Sequence, residues 1–424
     1  MAPRPSPRSA PVAVTGAGVV SPIGNDLASV DTALFGGVSS VRARELDLPG
    51  IPLPPVPVAA ADFDADAEVA PSRVPLDRGT AMALSAARAA ARAARLEPGS
   101  FDADRLGIFW GSGMAGAATF EATCRTVYAD RRRMRPTSVV TTMPNAPVAE
   151  IALLFGARGA ALAYACACAS SAVAIGEAMR AIRAGWIDVA IAGGSEAMLT
   201  PGVLASWQAM RVLAPLGAAA AGGDAAVIAA VCRPFAADRA GFALGEAAAA
   251  FVLESPAHAR ARGVPAESML VGYATNCDGI HITQPDASGQ ARAMAAALAD
   301  AGLAPREIGY INAHGTATTA GDAAEAESIA AVFGAKAVAV SSTKAIHGHL
   351  LGAGGAVELL ATLRALHAGL LPPTANVVAA DPSFAIDLVV GEARKASTLR
   401  AAMSNSFAFG GTNAVLVALR ADPR

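Results

Sequence analysis

Short runs of β-branched and small apolar residues alternate with Ala-rich amphipathic stretches along most of the 424 residues. Val12–Val20 is a β-branched run broken by Gly16 and Gly18, which predicts a buried strand feeding a loop. Residues 40–75 are rich in Pro and Asp and predict an irregular excursion. Residues 76–96 carry Ala, Leu, Met and Arg throughout, with Pro98-Gly99 behind them as a stop, so a helix is expected there. Strands are predicted at 106–110, 161–166 and 187–192, with a helix over 170–184 joining the last two. The rhythm continues with a strand at Phe251, a helix at 289–301, a strand at 308–312, a helix from Asp322, a strand at 337–341 and a helix from Gly352. Such alternation specifies an α/β layered fold. The halves share no visible sequence identity, so duplication rests on the rhythm of elements alone.

Length points to two domains or one large duplicated unit. With 33 Lys+Arg against 35 Asp+Glu, the net charge of -2 creates no field that would gather nucleic acid or anionic lipid. Charged residues make up 16% and hydrophobic ones 54%, which excludes a disordered chain. Mean hydropathy is +0.42, yet the apolar stretches are Ala and Val interrupted by Gly, Ser, Arg or Asp, and none resembles a membrane span. Residues 1–10 lack an apolar h-region and read as a flexible arm on a cytoplasmic protein. Five cysteines, an odd number thinly spread, fit free thiols in a reducing compartment. The Gly16-x-Gly18 pair lacks the third glycine of a dinucleotide fingerprint and reads as a structural turn. The basic run at 131–135 is a solvated face or a patch that meets an acidic partner.

Three residues stand out as candidate chemistry. Cys168, in Ala167-Cys168-Ala169-Ser170-Ser171, falls at a strand-to-helix junction, where the helix dipole favours thiolate. A buried, inert core cysteine is the competing reading. Cys166, two residues earlier on the expected strand, shares its face, but a Cys-x-Cys pair alone is poor support for zinc. His314, in Asn312-Ala313-His314-Gly315-Thr316-Ala317-Thr318, and His349, in Lys344-Ala345-Ile346-His347-Gly348-His349, both follow predicted strands, where α/β folds gather catalytic groups. The His347-x-His349 pair has no neighbouring carboxylate, which disfavours a metal site.

These segments, together with Asp238-Arg239-Ala240-Gly241-Phe242-Ala243-Leu244-Gly245-Glu246 and Asn405-Ser406-Phe407-Ala408-Phe409-Gly410-Gly411-Thr412-Asn413, occur in the order found in the β-ketoacyl-acyl-carrier-protein synthases. The chain resembles their elongating, condensing class, known from fatty acid and type II polyketide systems, over nearly its whole length. The resemblance implies a thiolase-like five-layered αβαβα sandwich of two similar halves, here 11–258 with the nucleophile and 259–424 with the two histidines, in a homodimer or a heterodimer with a related subunit. It implies decarboxylative Claisen condensation. Cys168 takes the acyl chain from an acyl carrier protein. His314 and His349, as neutral Nε2–H groups, stabilise the enolate of malonyl-carrier, and the backbone N–H groups of Cys168 and Phe409 hold the thioester oxyanion. No cofactor or metal is implied, since phosphopantetheine arrives on the carrier.

By motif, Thr316 and Thr318 resemble the hydroxyls that hold the pantetheine arm, and Thr283 lies in the same entrance. Lys344 and Glu325 resemble a buried pair that supports the second histidine, with an ordinary salt bridge as the competing reading. Phe409 resembles a gate beside the acyl pocket, with Phe407 two residues before it. Met114 aligns near the acyl tunnel, although a core position is the simpler expectation for Met. Thiolases need a second cysteine late in the chain, and none follows Cys277. Initiating synthases carry Asn where His349 stands, and chain-length factors lack the nucleophile. Ala408 stands where the family commonly has Gly, which predicts a stiffer gate if that position needs positive φ. A partner or scaffold subunit active only with a second chain, and a Cys-His acyl-thioester hydrolase, remain as alternatives.

Overall fold

The computed structural model describes residues 10–48, 50–69, 75–217 and 223–421. The arm expected at 1–10 therefore lies, but for Ala10, outside the described residues. Five strands of the first half are β1 (Val12–Val20), β2 (Leu106–Gly111), β3 (Ala161–Tyr164), β4 (Val189–Glu196) and β5 (Ala247–Glu254). The second half supplies β6 (Ser268–Cys277), β7 (Tyr310–Asn312), β8 (Ala339–Ser341), β9 (Asp387–Leu388), β10 (Ala401–Phe407) and β11 (Thr412–Arg420). Their order across the sheet is β9-β8-β7-β10-β11-β6-β1-β5-β4-β2-β3.

That order contains one pattern twice. In β3-β2-β4-β5-β1 the first three strands are parallel and the last two join antiparallel. The arrangement in β8-β7-β10-β11-β6 is the same. The two units meet where β1 pairs antiparallel with β6 through Val12, Ala13 and Val14. The repetition is thus carried by topology where residue identity is silent.

The helices complete the layers. Helix α1 (Arg78–Ala93) covers β1 and β5 on one outer face, beside α3 (Ala146–Phe155); α2 (Ala117–Tyr128) precedes α3. In the middle lie α4 (Ser170–Arg183), packed on β2 and β4, and α8 (Gly354–Ala368), packed on β10 and on α4 itself. Helices α6 (Ala287–Ala301) and α7 (Thr319–Phe333) close the opposite face, and α5 (Pro201–Ala209) lies outside the layers. The result is the thiolase-like sandwich of five layers. Helix α8 is buried almost all round, as a helix packed on strands of both units must be.

The glycines of β1 owe their place to α1. A Cβ on Gly18 would lie 2.2 Å from the Ala86 carbonyl oxygen, and one on Gly16 2.3 Å from that of Ala90. Helix and strand therefore touch backbone to backbone, through Ala86, Ala90 and Ala94 spaced four apart. The Gly-x-Gly pair is a packing device, consistent with its structural reading. Gly18→Ala is expected to cost about 1–3 kcal/mol by overpacking. Urea unfolding measures this, and an unchanged midpoint contradicts it.

Elements expected from sequence are present with shifted ends. The helix expected over 76–96 runs over Arg78–Ala93, with the Asp77 carboxylate accepting from the Gly79 amide at its start. The excursion at 40–75 contains two short strands, Arg42–Arg44 and Val56–Ala59, which pair with each other, the second also with Leu244–Gly245. No helix among the described residues is long and apolar enough to cross a membrane.

Candidate active site

Strand β3 ends at Tyr164, and the chain makes a 3-10 turn over Ala167–Ala169 before α4 begins. Cys168 lies in that turn. Cys166 is therefore off the strand, and the shared face expected for the two thiols does not exist: Cys166 packs against the central core, Cys168 against the cluster around Met198 and Leu204. Ala167 adopts φ +46°, a left-handed conformation that costs a non-glycine residue about 1–2 kcal/mol. Ser170 holds the turn, its hydroxyl donating to the Ala167 carbonyl and accepting from the Cys166 amide. An almost identical turn, Leu351–Ala353 with Leu351 at φ +46°, precedes α8 in the second half and begins two residues after His349. Ala317, between the two threonines, is left-handed as well, at φ +61°. Strained residues thus bracket the site, as they do where geometry is fixed for function.

The three candidates converge from these turns. His349 Nε2 lies 3.1 Å from Cys168 Sγ. The His314 and His349 rings stand edge to face, 5.4 Å apart. Burial pushes the Cys168 thiol up to about 12, against the opposing pull of Lys344 and of the Phe409 amide, which faces the sulfur. Burial thus opposes the thiolate that the helix dipole favours. Burial, then Lys344, then the neighbouring histidine hold both His314 and His349 well below the usual imidazole range. Both rings are neutral at physiological pH.

Lys344 is fully buried and pairs with Glu358 of α8, not with Glu325. Its Nζ also lies 3.3 Å from His314 Nδ1. The expected Lys344–Glu325 pair, and support of the second histidine by it, are corrected accordingly. An ammonium can only donate, so Nδ1 of His314 accepts and its Nε2 carries the proton. His349 is different: its buried Nδ1 has no hydrogen-bond partner among the described residues, so neither tautomer is locked.

Glu325 shapes the loop instead. Its carboxylate accepts from the amides of His314 and Gly315 at 2.8 and 2.7 Å, and from Asn405 at 3.2 Å. Asp322, one turn earlier on α7, accepts from the Thr316 and Phe235 amides. Burial raises Glu325, and raises Asp322 to about 7. The Thr316 and Thr318 hydroxyls are 2.9 Å apart.

A cavity of about 270 Å³ opens on Cys168, His314 and His349 and is lined also by Thr283, Thr316, Thr318, Phe407 and Phe409. A second, apolar cavity of about 900 Å³ includes Met114, Phe120 and Met143, and Trp207 and Met210 line both. Met114 is 46% exposed, which corrects the core expectation and leaves it on the second cavity's wall. Trp207, missed in the sequence, stacks on Phe409 at 6.2 Å and stands edge to Phe242. Phe242 meets the His349 ring at 4.9 Å. Only proximity in space identifies Trp207, and it is the contact with His349 that gives Phe242, inside the Asp238–Glu246 motif, a place in the site. Ala408 has no positive φ; that conformation falls on Gly410 and Gly411, so the stiffening expected from Ala408 is absent.

One donor from each of Cys168, His314 and His349 lies within 4.8 Å of the others, a set that zinc could use. The protonated Nε2 of His314 and the adjacent ammonium oppose it. The His347-x-His349 pair offers no site either, since both nitrogens of His347 are engaged, by Gly348 and Thr343.

Residues 9–259 match the family described as "Beta-ketoacyl synthase, N-terminal domain" and residues 268–378 "Beta-ketoacyl synthase, C-terminal domain". Nodulation protein E of Rhizobium sp. (strain N33) is 40% identical over 81% of this chain and 82% of its own. The 3-oxoacyl-[acyl-carrier-protein] synthase 2 of Staphylococcus aureus (strain COL) is 37% identical over 96% of this chain and 97% of its own. Among solved structures, a chain of the complex AntDE:AntF, a type II PKS acyl-carrier protein with its ketosynthase bound to the hexaketide, superposes with a TM-score of 0.87 at 28% identity, over 98% of this chain and 100% of that one.

Proposed function

Because the chain belongs to the beta-ketoacyl synthase family, we propose that it extends a Cys168-bound acyl chain by two carbons through decarboxylative condensation with malonyl-carrier. The 3.1 Å contact of His349 Nε2 with Cys168 Sγ, beside a His314 whose proton is fixed by Lys344, carries this reading. In the first step the thiol proton passes to His349 Nε2, the sulfur attacks the donor thioester, and the carrier thiol leaves with that proton. In the second step the bond to the malonyl carboxylate breaks and its electron pair forms an enolate. His314 donates to the enolate oxygen as a fixed Nε2–H, and His349 does so in its second tautomer. The enolate carbon attacks the Cys168 thioester, the carbon–sulfur bond breaks, and the released Cys168 thiolate takes up from solvent the one proton that the decarboxylation consumes. No cofactor enters.

The pantetheine arm runs past Thr316, Thr318 and Thr283, with Phe407 and Phe409 beside the acyl-cysteine. The acyl chain passes Trp207 into the apolar cavity walled by Met114. The division at 11–258 and 259–424 belongs to this reading, because each half then holds one of the repeated turns. Self-association is supported by β3, an edge strand with exposed residues that include Leu162, since open edges invite pairing. A related subunit could occupy the same edge in a heterodimer. An acyl carrier protein is the macromolecular partner, and the exposed arginines at 131–135 suit its acidic surface. Reversing those charges is expected to weaken carrier binding at low salt and to matter little at high salt; salt-independent, unchanged affinity discards the patch.

Intact-protein mass spectrometry with a panel of acyl-carriers tests the whole. The acyl mass is expected on Cys168 and is discharged as a two-carbon-longer ketoacyl product when malonyl-carrier is added. Release of free acid without extension indicates a hydrolase, and acylation only after a related subunit is supplied indicates a subunit that depends on its partner.

A further inference from the structure

Glu196 ends β4 with its side chain 1% exposed, and no cation pairs with it among the described residues. Its carboxylate is satisfied by donors from both halves. Oε1 accepts from the Ser112 hydroxyl and the Met114 amide, each at 3.1 Å, and Oε2 from the Gly113 amide at 2.6 Å, the Gly352 amide at 3.0 Å and, more weakly, the Met114 amide again at 3.3 Å. Ser112, Gly113 and Met114 form the loop that presents Met114 to the apolar cavity. Gly352 is the middle of the 3-10 turn that follows His349. The fit is close: a Cβ on Gly352 would lie 2.2 Å from the Gly113 amide nitrogen and 2.5 Å from Glu196 Oε2.

We propose that Glu196 is a positioning residue that fixes the wall of the acyl cavity to the His349 turn, so that the chain selected there and the proton donor used in condensation keep one relative geometry. It touches no substrate. It acts through the backbone of Met114 on one side and of Gly352 on the other, and a carboxylate is required because only that group accepts on both oxygens. The inference rests on the apolar cavity receiving the acyl chain.

Glu196→Gln separates the two arms. A carboxamide keeps the bonds from Gly113 and Gly352 by placing its oxygen at Oε2, and its NH2 then faces Ser112 Oγ, which can accept, and the Met114 amide, which cannot. The Met114 amide loses its 3.1 Å partner and keeps only its 3.3 Å contact with the oxygen at Oε2, so the cavity wall is loosened at Met114 while the His349 turn stays held. The kcat/KM for acylating Cys168 with donors of 4, 8 and 12 carbons is expected to fall by about tenfold for the longest relative to the shortest, the worth of one charge-assisted hydrogen bond. Malonyl decarboxylation by the acylated variant should change by less than about threefold on the same scale.

An unchanged chain-length profile overturns the proposal. So does an equal loss in acylation and decarboxylation together with a lowered melting temperature, which would mark Glu196 as structural only. Ser112→Ala, which removes one donor and keeps the carboxylate, is read in parallel should the Gln variant not fold. It is expected to shift the profile the same way by about threefold, and no shift in it overturns the proposal equally. Wild-type protein is assayed first, because failure of wild type to acylate Cys168 refutes the proposed reaction, whereas normal wild-type activity with an indifferent Glu196 refutes only the coupling.

Discussion

Cys168→Ala is expected to show no covalent acylation by any acyl-carrier and to lose condensation by about 10⁴-fold or more, the scale on which removal of a nucleophile acts. The side chain is buried in a strained turn, and alanine occupies that turn without adding volume, so the fold should persist. Decarboxylation of malonyl-carrier should survive, because His314 and His349 are neutral donors whether or not the sulfur is present. The combination of lost acylation with retained carbon dioxide release is specific to the division of labour proposed. Acyl transfer that continues in the variant contradicts the role of Cys168, and loss of both activities in a folded protein contradicts the independence of the histidines.

Lys344→Met is the second large perturbation. It leaves Glu358 buried without its cation and removes the donor that fixes His314. Breaking a buried pair from one side costs about 3–5 kcal/mol. Burial already raises the Glu358 carboxyl, and Lys344 is what opposes that rise. In the variant its folded-state pKa rises further above the unfolded value. Its contribution to stability is then present at low pH and lost as pH rises through the folded pKa. The variant should therefore be more impaired at alkaline than at mildly acidic pH in thermal unfolding. Decarboxylation should fall about 10²–10³-fold, as for loss of one oriented donor. Adding Glu358→Leu should recover much of the stability and none of that rate. Recovery of both contradicts the assignment of His314's tautomer to Lys344.

The sequence disclosed the site better than its supports. Cys168, His314 and His349 are legible because each sits in a short motif in the turns that follow a strand, and the order of five motifs along the chain does not arise by accident. Local patterns reveal α4, α6 and the strand ahead of His314, where apolar runs are bounded by glycine. The partner of Lys344 is not local: Glu358 lies 14 residues on, inside a helix whose composition reads as plain core, and Glu325 stood in a motif that drew the assignment instead. Trp207 and Glu196 carry no motif at all, and only folding brings Trp207 to the cavity walls and Glu196 behind the loop that carries Met114. The burial that raises the Cys168 thiol is not legible in the sequence, since the helix dipole can be anticipated from sequence position and desolvation cannot. Strain at Ala167 and Leu351 was equally invisible, because alanine and leucine give no sign of positive φ.

The two matching turns also explain why one chain holds a single reaction centre. Where the first half places Cys168, the second places Gly352, and no side chain fits there because Glu196 and the Gly113 backbone occupy the space. A nucleophile cannot be acquired at that counterpart without dismantling the contact between the halves. The repeated framework has therefore become asymmetric in its evolutionary freedom: one half is held to a reactive side chain, and the other to having none.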